Sequence, residues 1–137
     1  METVGVLMSP SYDPSAHAKF VSPGEGDIKV VTIDSLGRAD KNVAFKIDVE
    51  GFELEVLEGA RRTITEAHAV VIMLEAHPDV ARRTGRNPVT YLRYLTEIRP
   101  FQFAFVESGE PISPDRPLPM ERWTMHHDIL CSTFNPN

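Results

Sequence analysis

Between residues 43 and 74 the hydrophobic pattern changes period twice, and this double change restricts the fold more than any other feature. "VAFKID" (43–48) is a mostly apolar run that stops at Asp48, Glu50 and Gly51. From residue 52 to 67, Leu54, Leu57, Ala60, Ile64 and Ala67 recur every three or four positions, which is one helical face. "AVVIML" (69–74) then runs apolar without alternation, the pattern of a strand covered on both faces in a parallel sheet. The order strand, helix, strand predicts a β–α–β unit with a right-handed crossover.

The flanking segments extend this unit. Residues 1–27 are rich in Pro, Ser and Gly and read as an irregular lead-in with a short strand at 4–8. "IKVVTID" (28–34) is β-branched and reads as a strand. After residue 78, Asn87 and Pro88 suit the cap and first position of a helix whose buried stripe is Val89, Leu92, Leu95 and Ile98, with Tyr91 nearby. "FQFAFVE" alternates at period two, a proline-rich loop follows, and "HHDILCSTF" closes the chain as a strand. The last two strands, joined by a loop, are expected to pair antiparallel. The sum is one α/β domain over residues 28–137, with parallel central strands and an antiparallel pair. Gly59, inside the helical run, costs about 1 kcal/mol relative to Ala and points to close packing against the sheet.

Composition narrows the function classes. The net charge of −6 argues against a broad nucleic-acid surface, which needs clustered Lys and Arg. No apolar run approaches the roughly 20 residues that span a bilayer, and the start lacks a signal-peptide pattern, so a cytoplasmic protein without membrane contact is expected. The single Cys131 excludes an internal disulfide, and its apolar neighbours favour a packed thiol.

In open α/β sheets ligands bind beyond the carboxyl ends of the strands. One strand here ends in Asp48 and Glu50, the next in Glu75 and His77, so all four are expected on one rim. Three carboxylates and an imidazole together are electrostatically expensive unless a cation, a ligand or water compensates. Taken alone, "DVEG" is a strand-to-helix turn in which the acids cap the helix and Gly51 permits the bend. Other features carry less. His126, His127 and Asp128 are adjacent on a strand and face opposite ways, so they do not share one ion, although one histidine can reach the rim. Arg82, Arg83 and Arg86 form a small basic patch that reads as a solvated helix end, although it can meet an anionic substrate. Trp123 reads as a packing anchor, and His17 and His68 suggest no partner.

"VTIDSL", "FKIDVEGFELEVLEGA" and a strand ending in "LEAHP" together resemble the C-terminal half of the FkbM-type methyltransferases. The resemblance runs from about residue 31 to 78. It implies a partial Rossmann-like methyltransferase sheet, S-adenosylmethionine as cofactor, and O-methylation of a small-molecule or glycan hydroxyl. It also implies that Asp48 and Glu50, with Glu75 and His77 beside them, are the catalytic residues where donor and acceptor meet. The base is then a carboxylate or His77, or else Asp48 and Glu75 hold a divalent cation that acidifies the acceptor. The family's glycine-rich cofactor turn has no counterpart here, since "SPGEGD" (22–27) neither follows an apolar strand nor opens a helix. The expectation is a truncated enzyme whose "VAFKID" edge pairs with residues 28–34, a second copy, or a separate N-terminal half. A non-catalytic remnant acting by association and a small metal-dependent hydrolase using the same carboxylates are the alternatives.

Overall fold

The computed structural model of the protein describes residues 5–7, 19–21, 30–37 and 42–134. Two short strands, β1 (Gly5–Leu7) and β2 (Lys19–Val21), pair antiparallel. The strand expected at 4–8 is thus seen over its described residues, and it has a partner that the pattern of turn residues hides. The main sheet has four strands in the order β3 (Asn42–Ile47), β4 (Ala69–Ala76), β6 (His127–Ser132) and β5 (Gln102–Phe105). β3 and β4 run parallel, with Phe45 beside Ile72 and Ile47 beside Leu74. β6 pairs antiparallel with both β4 and β5, which gives the expected mixture of a parallel pair and antiparallel strands. This is the partial Rossmann-like sheet that the resemblance implies.

The sheet is closed on one face. Val70, Ile72, Leu74 and Ala76 of β4 join Ile47, Ile129, Cys131 and Phe103 in a single core. That core is completed by Leu57, Ala60, Ile64, Leu92 and Leu95 from the helices. Burial of each large aliphatic side chain here contributes about 1.5–3 kcal/mol. The other face carries Ala44, Lys46, Val71, Met73 and Leu130, all exposed or half-buried. The expectation that β4 is covered on both faces therefore holds for one face alone among the described residues. Lys46 reaches across β4 on this open face, and its Nζ lies 2.8 Å from Asp128 Oδ1 of β6. No described helix is long and apolar enough to cross a membrane.

Two expectations fail, for one reason. Residues 30–34 are not a strand, because Ile33–Leu36 form a 3-10 turn capped by Thr32, whose Oγ1 accepts from the Ser35 amide at 3.2 Å. Residues 28 and 29 lie outside the described residues. The helix over 52–67 is likewise two helices, α1 (Glu53–Glu58) and α2 (Arg61–Glu66). In a continuous helix the amides of Arg62 and Thr63 would bond the carbonyls of residues 58 and 59. Here they donate to the Asp34 carboxylate at 2.9 and 2.8 Å, and the Asp34 amide takes the Gly59 carbonyl at 2.9 Å. Asp34 is thus a cap for α2 supplied from 28 residues away. Gly59 does permit a close approach, but of Thr32 rather than the sheet. A Cβ on Gly59 would sit 3.3 Å from the Thr32 side chain.

Two more helices, α3 (Pro78–Thr84) and α4 (Val89–Ile98), lie between β4 and β5. Asn87 caps α4 as expected, its Oδ1 accepting from the Val89 amide at 3.1 Å. The same side chain ties the proline-rich loop down, since its Nδ2 donates to the Leu118 carbonyl at 2.8 Å.

Candidate functional site

The parallel register of β3 and β4 sets their carboxyl ends side by side, and the acids collect there. Asp48 follows the last residue of β3, and Glu75 is the penultimate residue of β4. Carboxylate oxygens of Asp48, Glu50 and Glu75 all lie within 4.8 Å of one another. Asp48 is exposed, and the other two are half-buried. Burial, followed by the Asp48 charge, pushes the Glu75 carboxyl above the usual range, against the opposing pull of His126 and His77. Lys46 stands near the rim, and its ammonium is held charged first by Asp128 and further by Asp48 and Glu75.

The turn that carries Glu50 is strained and clamped. Glu50 has φ 56° and Gly51 φ 106°, both in the left-handed region, at an expected cost of about 1–3 kcal/mol for the non-glycine residue. A Cβ on Gly51 would lie 2.7 Å from Thr84 Cγ2, so only glycine lets α3 approach this turn. Glu53 braces the turn from beneath. Its Oε1 accepts from the Gly51 amide at 3.2 Å and the Val49 amide at 3.4 Å. From α3 and the following loop, Arg83 donates to the Glu50 carbonyl at 3.0 Å and its Oε2 at 3.3 Å. Arg86 donates to the Gly51 carbonyl at 3.2 Å and to both Glu55 oxygens at 2.8 and 2.9 Å. Two arginines of the patch read as a solvated helix end, Arg83 and Arg86, are instead committed to this turn, and Arg82 pairs with Asp79.

The histidines divide as strand geometry demands. His126 stacks on His77 with ring centroids 6.1 Å apart, so one of the pair does reach the rim. His127 packs instead against Trp123 at 4.4 Å and Phe105 at 5.6 Å, which makes Trp123 the packing anchor it was expected to be. His77 Nδ1 accepts from the Asp79 amide at 3.1 Å, capping α3. A backbone amide can only donate, so the neutral imidazole carries its proton on Nε2 and presents a donor to the rim. Cys131 is fully buried, and burial pushes its thiol far above the usual range, as expected of a packing residue. His68 is exposed, and His17 lies outside the described residues.

The rim therefore gathers Asp48, Glu50 and Glu75 directly, with His77 beside them as a donor. It also recruits Lys46 and His126, and Glu53 lies beneath. Glu53 is 3% exposed, an unusual burial for a carboxylate. The residue stands one turn before Leu57 on the buried face of α1, a signal present in the sequence and masked by the more usual role of an acid at a helix start.

Asp48, Glu50 and Glu75 have the oxygen-donor chemistry of a divalent-cation site, and as carboxylates they suit hydroxyl and cationic groups. The cavity behind Glu75 measures about 10 Å³ and is far too small for a nucleoside. A family model described as the methyltransferase FkbM domain matches residues 7–108, reaching beyond both ends of the motif stretch. No curated protein and no solved structure matches the chain.

Proposed function

The chain belongs to the FkbM methyltransferase family, and from that premise we propose that its rim is the acceptor side of an O-methyl transfer site. The observation that carries this reading is the convergence of Asp48, Glu50 and Glu75 within 4.8 Å at the carboxyl ends of two parallel strands. When bound, S-adenosylmethionine supplies an electrophilic methyl group on a sulfonium sulfur. The chain's own residues then align an acceptor hydroxyl and remove its proton. Glu75 takes this role, because burial and the Asp48 charge raise its carboxyl above the usual range. His77 acts as a donor through Nε2–H and holds the acceptor oxygen, since its other nitrogen is occupied by the Asp79 amide. Glu50, pinned by Arg83, fixes the edge of the site.

The cavity beside Glu75 has no room for the cofactor's nucleoside, so the rim suits the reacting end of the cofactor. On this reading the nucleoside cradle comes from residues that the described rim does not include, and a candidate N-terminal half is one source of them. Calorimetric titration with S-adenosylmethionine tests this, first on the chain alone and then with a candidate N-terminal half. Binding in the mixture alone supports the two-part reading, and tight binding by the isolated chain overturns it. Labelled methyl transfer to a hydroxyl, lost in Glu75→Gln, supports the chemistry itself.

The same oxygens favour a second reading, in which Asp48, Glu50 and Glu75 hold a divalent cation that lowers the pKa of the acceptor hydroxyl. A rise in melting temperature with Mg²⁺ or Mn²⁺, abolished by Asp48→Asn, supports it, and no rise counts against it.

A further inference from the structure

Beneath the rim, Glu53 Oε1 is committed to the turn amides, while Oε2 is fully buried and has no hydrogen-bond partner among the described residues. A buried carboxylate oxygen left without a donor costs several times a normal hydrogen bond. The oxygen belongs to a side chain that lines the cavity of about 10 Å³, and Glu75 and His77 line the same cavity from the rim side. Arg86 and Tyr91 complete its polar wall. The Tyr91 hydroxyl lies near the Glu53 carboxylate without satisfying Oε2, and burial followed by that charge pushes its phenol far above the usual range.

The volume is that of about one water-sized probe, which is the threshold for an internal water. The wall decides what fills it. Glu53 and Glu75 offer acceptors, whereas Arg86 and Tyr91 are donors. A bare cation would satisfy the carboxylates and face the guanidinium. Water alone serves both kinds of group, and the polar partners meet the two to four it needs.

We propose that this cavity is a binding site for one ordered water molecule that donates to Glu53 Oε2 and to the Glu75 carboxylate. Glu53 is then a positioning residue. It braces the Glu50–Gly51 turn through one oxygen and fixes Glu75 through the water on the other. Both walls of the rim are set by one side chain that no solvent-borne acceptor can touch. The water site stands independently of methyl transfer, and its functional weight rests on the reading of Glu75 as base. The test reads the cavity itself, so the two ideas fail separately.

A crystal structure at a resolution that shows ordered water, grown without divalent cations, is the first arm. The expected result is one light-atom peak roughly 2.7–3.2 Å from Glu53 Oε2 and from a Glu75 oxygen. An empty cavity with the Tyr91 hydroxyl directly on Oε2 overturns the proposal. So does a peak at the shorter distances and higher coordination of a metal ion. The second arm is Glu53→Gln, whose amide oxygen can still accept from the Val49 and Gly51 amides while its NH₂ replaces the Oε2 acceptor. Loss of the peak together with a changed Glu75 rotamer supports the positioning role. A retained Glu75 position with the water gone overturns that role.

Discussion

Asp34 and the rim acids are the same kind of group in opposite circumstances. Burial alone would raise the Asp34 carboxyl, but the Thr63 and Arg62 amides and the Thr63 hydroxyl outweigh it and hold the group below its usual range. At the rim the order reverses. Burial and the neighbouring Asp48 hold Glu75 above its usual range, because its neighbours include another carboxylate rather than a ring of donors. Donors surround an acid that the fold uses to end one helix and begin another. At the rim the acids crowd together without a comparable ring of donors, and the proposal of a ligand site rests on that contrast.

The comparison can be broken by mutation. The largest expected effect is on chemistry. If Glu75 is the base, Glu75→Gln lowers methyl transfer by about 10²–10⁴-fold, the usual contribution of a positioned base. The melting temperature at neutral pH stays level or rises, and equal loss of both quantities would merge Glu75 with the structural acids. Gly51→Ala comes next, at about 2–3 kcal/mol of stability, because the new Cβ meets Thr84 in a backbone region that disfavours it. Denaturant unfolding measures this directly. Asp34→Ala follows at about 1–2 kcal/mol, the value of a lost helix cap. Amide exchange should rise at Arg62 and Thr63 before it rises in the sheet.

The smallest effect sharpens the contrast through its sign. Asp34 binds its proton less readily folded than unfolded. Its contribution is present above the unfolded value of about 3.9 and is lost as pH falls below it. Glu75 binds its proton more readily when folded, so its contribution falls as pH rises from the unfolded value of about 4.3 towards its raised folded one. Asp34→Asn should flatten the acid limb of the stability curve, and Glu75→Gln should remove the decline on the other side. Melting temperatures across the acid range separate the two.

Much of this site was legible in the sequence because parallel pairing leaves little freedom. Once 43–48 and 69–76 are neighbouring parallel strands, Asp48, Glu50, Glu75 and His77 must share a rim. What stayed hidden depends on contacts from far along the chain. Val30, Val31 and Ile33 favour a strand locally, yet Asp34 draws this segment onto the start of α2 and turns it into a cap. The same contact splits a helix whose periodicity continues across the break. Arg83 and Arg86 looked solvated because nothing in their own neighbourhood names Glu50, Gly51 or Glu55 as partners. Glu53 was hidden by its type, since an acid at a helix start is seldom buried.

Thermal unfolding of the Asp48→Asn, Glu75→Gln double variant at neutral pH tests the central claim most directly, with Asp34→Ala alongside. If the rim acids are held for a ligand and at the expense of the fold, the double variant melts at or above the unaltered protein while Asp34→Ala melts several degrees below. A drop in the double variant as large as that of Asp34→Ala would show that the rim is structural, and the functional reading would fail.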